Sequence, residues 1–175
     1  MEVGASRARN ISDKLFRMSE TFGGRIVQIS VNPKGGAPKY QVASARLETN
    51  GVEGDRQNDR RFHGGPERAV CLYSWDLIRA LQDEGHPIEC GSAGENLAIA
   101  GVDWNKVVPG ARLLLGEAVL LEIVSYTSPC YKIADAFQGG DFKRISQKLR
   151  PGWSRVYARM LQPGKVCEGD AVEMV

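Results

Sequence analysis

Residues Tyr40–Tyr73 read YQVASARLETNGVEGDRQNDRRFHGGPERAVCLY, and their character changes twice along the way. The runs Tyr40–Leu47 and Ala69–Tyr73 have strand patterns, whereas Gly51–Ala69 is polar and holds four Arg, four acidic residues, one His and four Gly. Long loops in compact domains are usually either functional or disordered, and Gly supplies backbone conformations that other residues avoid. We therefore interpret Gly51–Ala69 as a shaped loop between two strands that binds an anionic, highly functionalised ligand.

The composition is that of one domain with its own core, since 42% of the 175 residues are hydrophobic and 25% are charged. The net charge is only +2, so we expect no general nucleic-acid binding, and any basic character must be local. No apolar run approaches the roughly 20 residues of a membrane-spanning helix. The first residues, MEVGASRARN, lack the hydrophobic block of a secretory signal. We expect a cytoplasmic protein with no membrane partner.

Strand patterns recur along the chain, and they follow one another more often than they alternate with helices. If the runs Tyr40–Leu47 and Ala69–Tyr73 are included, the chain has about eight short predicted strands and roughly three helices. This favours a mainly β sandwich or barrel with a few helical insertions. No repeat or linker divides the chain, so residues 24–175 are expected to form one domain after an N-terminal extension, residues 1–23. The other predicted strands are Gly24–Val31, Leu97–Ile99, Ala111–Leu115, Val119–Tyr126, Arg155–Leu161 and Ala171–Val175.

Helical patterns occupy four places. Apolar residues at helical spacing, from Ile11 to Phe22, predict a short amphipathic helix in the N-terminal extension. Ser74 can cap a second helix over Trp75–Glu84, which Gly85 ends. Two further helical segments are predicted at Tyr131–Phe137 and Phe142–Leu149, whereas residues 163–170, PGKVCEGD, are predicted to be a turn-rich connection.

The four cysteines are widely spaced and include no Cys-x-x-Cys pair, which argues against a zinc knuckle or a thioredoxin-like site. Cys71 lies inside an apolar run and is expected in the core. Cys130 is more suggestive, because it follows a strand pattern and a Pro and opens a helical segment. A helix N-terminus favours the thiolate form that reactive and metal-binding thiols need. The alternative is a buried Cys that packs as a small hydrophobic residue.

Within the polar loop, Arg56, Arg60 and Arg61 offer forked donors suited to phosphate or carboxylate. Asp55 and Asp59 could orient these guanidinium groups. The alternative is a solvated run of charges with local ion pairs, which is the usual state of Arg in a loop. His63 lies next to Gly64 and Gly65. It could donate to an anion, act as an acid or base, or cap the turn. The density of such groups favours a binding site.

A second Gly-rich passage, GSAGEN at residues 91–96, could place backbone N–H groups around an anion. It is neither a P-loop nor a dinucleotide fingerprint, because the Gly-Lys-Ser/Thr ending and the third Gly are missing. Glu95 and Asn96 would then contact the edge of a heterocycle, or they are ordinary turn residues. The two His of the chain do not share a helix, which argues against a zinc hydrolase.

Several of these motifs together resemble the MOSC domain, the domain found at the C-terminus of molybdenum-cofactor sulfurases. They are GDR at 54–56, DRRFHGGP at 59–66, GENL at 94–97, PC at 129–130, Gly164, and GD at 169–170. The resemblance runs from about residue 24 to residue 175 and is to a free-standing bacterial-type member. It implies a MOSC-type β-barrel, similar to the pyruvate-kinase β-barrel domain. It also implies that Cys130 either carries sulfur as a persulfide or ligates molybdenum.

The resemblance further implies a pocket for the molybdenum cofactor, a large anion with a pterin ring and a phosphate, which need not stay bound on purification. Its expected contacts beyond Cys130 are Arg56, Arg60 and Arg61 for the charge, Glu95 and Asn96 for the ring edge, and Asp59, Gly64 and Gly65 in the same loop as the arginines. Guanidinium groups suit the phosphate, amide and carboxyl groups suit the heterocycle, and a thiolate suits the soft metal. His63 would line the same pocket and shuttle a proton.

Three functions remain open from the sequence. The first is a molybdenum-cofactor-dependent reductase component that acts on small N-hydroxylated compounds with an external electron donor. The second is a sulfur carrier, in which Cys130 accepts a persulfide from a cysteine desulfurase that itself carries pyridoxal phosphate. The third is an acyl-transfer enzyme with Cys130 as nucleophile and His63 as base, which is the weakest because the sequence reveals neither an orienting carboxylate nor an oxyanion hole.

Overall fold

A computed structural model describes residues 23–57 and 64–175. The predicted N-terminal helix and residues 58–63 lie outside the described residues. The strands are β1 Gly24–Val31, β2 Tyr40–Val42, β3 Ser44–Glu48, β4 Gly51–Val52, β5 Val70–Ser74, β6 Leu97–Ala100, β7 Arg112–Leu115, β8 Val119–Tyr126, β9 Val156–Gln162, β10 Gly164–Cys167 and β11 Ala171–Met174. The helices are α1 Trp75–Asp83 and the short 3-10 helices Pro66–Arg68, Trp104–Lys106, Tyr131–Ala136, Gln138–Gly140 and Phe142–Ile145.

Seven strands close into a barrel, in the order β11-β7-β8-β9-β5-β6-β1. The barrel closes because the start of β1 pairs with β11, with Gly24 opposite Val172. β5 and β6 run parallel, and α1 is the crossover between them; all other neighbours in the barrel are antiparallel. β2 extends the barrel sheet beside the end of β1, and β10, β3 and β4 form a separate small sheet. The predicted mainly β barrel with helical insertions is confirmed.

The barrel interior is filled by the alternate residues of its strands. In β8 the side chains of Val119, Leu121 and Ile123 are buried while those between them are only partly so, as the two-residue repeat of a strand requires. β5 is different, since all five of its residues are buried. α1 packs against β5 and β6 through Ile78 and Leu81, so this side of the barrel has apolar cover on both faces.

α1 begins and ends where the sequence predicted. The Ser74 hydroxyl accepts a hydrogen bond from the Leu77 N–H at 3.2 Å, and Gly85, with φ 95°, follows the C-terminal end. Both features satisfy groups that a helix end otherwise leaves without partners.

Ser74→Ala is expected to lower the free energy of unfolding by about 1 kcal/mol, because it removes the N-cap acceptor from a buried helix start. Urea unfolding of the wild type and the variant measures the difference. Asp83→Ala alters an exposed residue of the same helix and should change stability by less than about 0.5 kcal/mol. Equal losses in the two variants would contradict the capping role.

Three predicted segments need correction. Tyr40–Leu47 is two strands, because the pairing of β2 with β1 ends at Val42 and β3 pairs with β10 instead. Between the two strands, the Ala43 carbonyl accepts from the Glu168 N–H. Residues 163–170 contain the strand β10, with Val166 buried, rather than only turns. The segments after Cys130 form short 3-10 helices, interrupted where Gly139 and Gly140 adopt positive φ. No helix among the described residues is long and apolar enough to cross a membrane.

Candidate functional site

A pocket is lined by the loops that follow β1 and β8, by the polar loop, and by residues at or just before the starts of β5, β6 and β9. Loops that are positioned by a rigid scaffold commonly carry binding residues. The described lining residues are Gly36, Ala37, Lys39, Asp55, Arg56, Gln57, Arg68, Cys71, Ala93, Gly94, Asn96, Ser128, Cys130, Lys132, Ile133, Arg155 and Tyr157.

Cys130 is a free, partly exposed thiol in this lining. Its backbone is extended, and its carbonyl accepts from the N–H of Ile133 at 3.1 Å at the start of a 3-10 helix. Ile133 is buried in the core, which fixes the position of the turn that carries the thiol. The expected helix start at Cys130 is therefore present, but as a 3-10 helix of six residues.

The second thiol of the lining, Cys71, has a different character. It is buried within β5, as the sequence predicted, and burial raises its pKa to about 11. At neutral pH Cys71 is therefore a protonated thiol, and thiols in this form are poor nucleophiles and ligands. Cys90 and Cys167 lie outside the pocket lining. Cys130 is thus the pocket cysteine with access to a ligand.

The described lining is strongly cationic. Its one carboxylate, Asp55, faces five basic residues, which are Lys39, Arg56, Arg68, Lys132 and Arg155. The chain as a whole is nearly neutral, with a net charge of +2, so this concentration of positive charge is local. A cleft lined by one sign of charge raises the local concentration of ligands of the opposite sign. The pocket is therefore suited to an anion.

Asp55 is held inside the protein, and its partners among the described residues are Asn32, Lys39 and Asn96 rather than Arg56. Its Oδ1 accepts from the Asn32 N–H at 2.7 Å, and its Oδ2 accepts from the Lys39 ammonium and from Asn96 Nδ2, the latter at 3.0 Å. The side chains of Asp55 and Lys39 are only 3% and 10% exposed. This buried ion pair fixes the polar loop to the turn after β1.

Asn96 lines the pocket but its side chain is fully engaged. Its Oδ1 accepts from the Cys71 N–H at 3.1 Å, and its Nδ2 donates to the Ser30 carbonyl at 3.1 Å as well as to Asp55. Its backbone N–H donates to the Cys71 carbonyl. Asn96 therefore ties β1, β5 and the polar loop together, and its contact with a heterocycle stays a prediction.

Glu95 is fully buried and does not belong to the described lining of the pocket. Its Oε1 accepts from the Gly91 N–H at 2.6 Å, whereas its buried Oε2 has no hydrogen-bond partner. Burial raises its pKa to about 7, against the opposing effects of the Gly91 N–H and of Arg155 and Lys39. The N–H groups of Gly91, Ser92, Gly94 and Asn96 all donate within the protein, so these four do not form the expected cradle for an anion.

The other predicted site residues divide into three groups. Arg56, like Cys130 and Asn96, lines the pocket. Gly64 and Gly65 do not line it; Gly65, with φ 86°, precedes the 3-10 helix Pro66–Arg68 that brings Arg68 to the pocket. The third group lies outside the described residues, so its roles stay predictions. It consists of Asp59, Arg60, Arg61 and His63.

Sequence reasoning missed several residues of the lining, notably Lys39, Arg68, Arg155 and Tyr157. Arg68 and Tyr157 meet across the pocket wall, with the guanidinium carbon 5.5 Å from the ring centre, a distance typical of cation–π contact. One signal was present: an Arg at the start of an apolar strand pattern is unusual, since Arg is rarely buried without a partner.

Comparison with known proteins identifies the family. The family model described as MOSC domain matches residues 59–173, which include most of the pocket lining. This chain belongs to the MOSC domain family. The resemblance seen in the sequence motifs is thereby confirmed.

Relatives of this MOSC protein agree in sequence and in fold. It is 30% identical over 162 residues to Protein YiiM of Escherichia coli (strain K12), covering 89% of this chain and 70% of that protein. It is 33% identical over 130 residues to a protein named Reductase from Gibberella moniliformis, covering 71% of this chain and 22% of that protein. The crystal structure of YiiM from Geobacillus stearothermophilus has a TM-score of 0.66 at 25% identity, covering 87% of this chain and 75% of that one.

Proposed function

We propose that this MOSC protein binds the molybdenum cofactor in this pocket, with Cys130 as a ligand of the metal. We further propose that it acts as a reductase component for small N-hydroxylated compounds, using an external electron donor. The observation that carries the proposal is one accessible thiol in a pocket with five basic side chains. A relative named Reductase supports the redox class, although this chain spans 22% of that protein.

The residues of the pocket fit such a group. Its phosphate and sulfur-bound metal centre are anionic, and the described lining is cationic. Arg155 lines the pocket, and its buried Nε has no hydrogen-bond partner in the described part of the chain, so the protein does not saturate this guanidinium. Gly94 leaves space beside Arg155, because a Cβ there would lie 3.7 Å from Arg155 Nη1. A thiolate is a preferred ligand for soft metals.

In this proposal each pocket residue has a limited task. The bound cofactor supplies the redox chemistry, and the protein supplies binding and orientation. Cys130 holds the metal from the rigid turn after β8. Arg56, Arg68 and Lys132 balance the ligand's negative charge, and the Lys39–Asp55 pair keeps the polar loop in place. The proposed proton shuttle of His63 belongs to the loop beyond the described residues.

Sulfur transfer is the second candidate, and the exposure of the Cys130 turn favours it. Ser128, Tyr131 and Lys132, which surround the thiol in sequence, are exposed, so the Cys130 sulfur can be approached by a cysteine desulfurase. In that reaction the Cys130 thiolate attacks the outer sulfur of the donor's persulfide. A new S–S bond forms on Cys130, and the donor cysteine leaves as a thiolate.

Cys130→Ser is expected to abolish metal binding and activity while leaving the fold intact, since the side chain lies at the surface of the pocket. Molybdenum analysis and pterin fluorescence on protein from a cofactor-producing host measure the loss. Cys167→Ser changes an exposed cysteine outside the pocket and should retain the wild-type metal content.

Metal and pterin in the wild type and in Cys167→Ser, but not in Cys130→Ser, would support the cofactor proposal. Wild-type protein that lacks both would contradict it. Cyanide-releasable sulfur on Cys130 would then favour sulfur transfer. Thioester hydrolysis that requires both Cys130 and His63 would instead favour the acyl-transfer alternative.

A further inference from the structure

Arg155 is a buried cation without a counter-ion among the described residues. It precedes β9 on the pocket wall and is only 7% exposed. One guanidinium nitrogen, Nη1, donates to the Ala93 carbonyl, while the buried Nε has no partner among the residues that the structure describes. A buried charge is costly unless it is paired and fully hydrogen-bonded. Arg155 therefore lines the pocket as a guanidinium that the described residues neither neutralise nor fully hydrogen-bond.

The backbone around Arg155 holds the side chain in place. Its carbonyl accepts from the Thr127 N–H at 3.0 Å and from the Ser154 hydroxyl at 2.7 Å. These bonds join the start of β9 to the residue that follows β8. A guanidinium presented from a fixed backbone loses little freedom when it binds a ligand, which favours affinity.

The nearby acidic groups do not neutralise Arg155. Asp55 is occupied by Lys39, Asn32 and Asn96. The buried Glu95 carboxyl has its pKa raised to about 7 by desolvation, so at neutral pH it is protonated in much of the population. The positive charge at this wall of the pocket is consequently available to an anion.

The fold also leaves room next to the guanidinium. Gly94 has φ 85°, and a Cβ there would lie 3.5 Å from Ala37 and 3.7 Å from Arg155 Nη1. A larger side chain at position 94 would narrow this part of the pocket. The planar fork of Arg matches the oxygens of a phosphate, which it can bind through two parallel hydrogen bonds.

We propose that Arg155 is the anchor of an oxyanion subsite in the pocket interior, suited to a phosphate monoester. The binding capacity of Arg155 is independent of the proposed function; only the source of the phosphate, cofactor or substrate, rests on it. The subsite lies on the β9 wall and is separate from the polar loop, where the sequence alone had located anion binding.

The direct test uses sulfate, a tetrahedral oxyanion, and cofactor-free protein from a host that makes no pterin cofactor. We expect Arg155→Gln to weaken sulfate binding in calorimetry by about ten- to a hundredfold, the loss typical of a charged hydrogen bond. The sulfate affinity of Arg155→Lys should lie between those of the wild type and Arg155→Gln, because Lys keeps the positive charge but lacks the forked donors of Arg. Arg159→Gln is the matched control, since Arg159 lies on the same strand but outside the pocket lining.

Melting temperatures distinguish a ligand-binding role of Arg155 from a purely structural role. Without sulfate, Arg155→Gln should melt at the wild-type temperature or above it, because it removes an uncompensated buried charge. Sulfate should raise the melting temperature of the wild type more than that of Arg155→Gln. Wild type that binds no sulfate, or affinities equal in wild type, Arg155→Gln and Arg155→Lys, would overturn the proposal.

A second experiment identifies the source of the phosphate. It compares the pterin content of the wild type and Arg155→Gln, both produced in a host that makes the cofactor. If Arg155 holds the cofactor's phosphate, Arg155→Gln loses pterin as well as sulfate affinity. If it holds a substrate's phosphate, the variant keeps wild-type pterin but loses sulfate affinity. Wild-type protein without pterin would contradict the proposed function, and the sulfate arm would still decide whether the subsite exists.

Discussion

Asp55→Ala is expected to lower the free energy of unfolding by about 3–5 kcal/mol, the range found when one partner of a buried ion pair is removed. The carboxylate is 3% exposed and accepts three hydrogen bonds, from the Lys39 ammonium, the Asn32 N–H and Asn96 Nδ2. Its loss leaves a largely buried ammonium without a counter-ion and two further donors without an acceptor. Urea unfolding measures the change.

The matched control is the exposed pair Arg46–Glu48, whose side chains are 55% and 62% exposed at 3.9 Å. Glu48→Ala should cost no more than about 0.5 kcal/mol, because exposed pairs contribute little. A double variant, Lys39→Met with Asp55→Ala, should recover part of the loss, since it removes the unpaired charge as well. A small effect in Asp55→Ala, or no recovery in the double variant, would show that the ion pair does not hold this loop.

The barrel was predictable from sequence where alternation extends over many residues. β1 and β8 each have eight residues, and their predicted bounds are those of the structure. β10 was missed because it has only four residues, between Pro163 and the turn at residues 168–169. Its pairing with β3 is a contact between residues far apart in sequence, and short segments of this kind carry little local signal.

The candidate site was only partly predictable, for a related reason. Cys130 and Arg56 belong to motifs that stand out locally, and both line the pocket. Lys39 and Arg155 belong to separate segments, and only the folded barrel brings them to one pocket. Sequence also cannot show which polar groups are already occupied, as Asn96 is by Cys71, Ser30 and Asp55.

The position of Glu95 makes the stability of the protein depend on pH. Burial raises the Glu95 pKa to about 7 from its ordinary value of 4.5, so between these values the folded protein holds a proton that the unfolded chain releases. Stability is therefore greatest below about pH 4.5 as far as this group is concerned, and it falls as the pH rises through about 7. The total is a few kcal/mol, since each pKa unit is worth about 1.4 kcal/mol.

Glu95→Gln is expected to remove this decline, because Gln resembles the protonated acid and its amide oxygen can still accept from the Gly91 N–H. Urea unfolding between about pH 5 and pH 8 should show a flatter profile than the wild type, with the advantage of the variant growing as the pH rises. Glu89→Gln, in the exposed part of the same connection, should keep the wild-type profile. Parallel profiles for Glu95→Gln and the wild type would mean that the buried carboxyl releases its proton well below neutral pH. In that case Glu95 would be ionised at neutral pH and would offset the charge of Arg155, which the oxyanion subsite requires to be uncompensated.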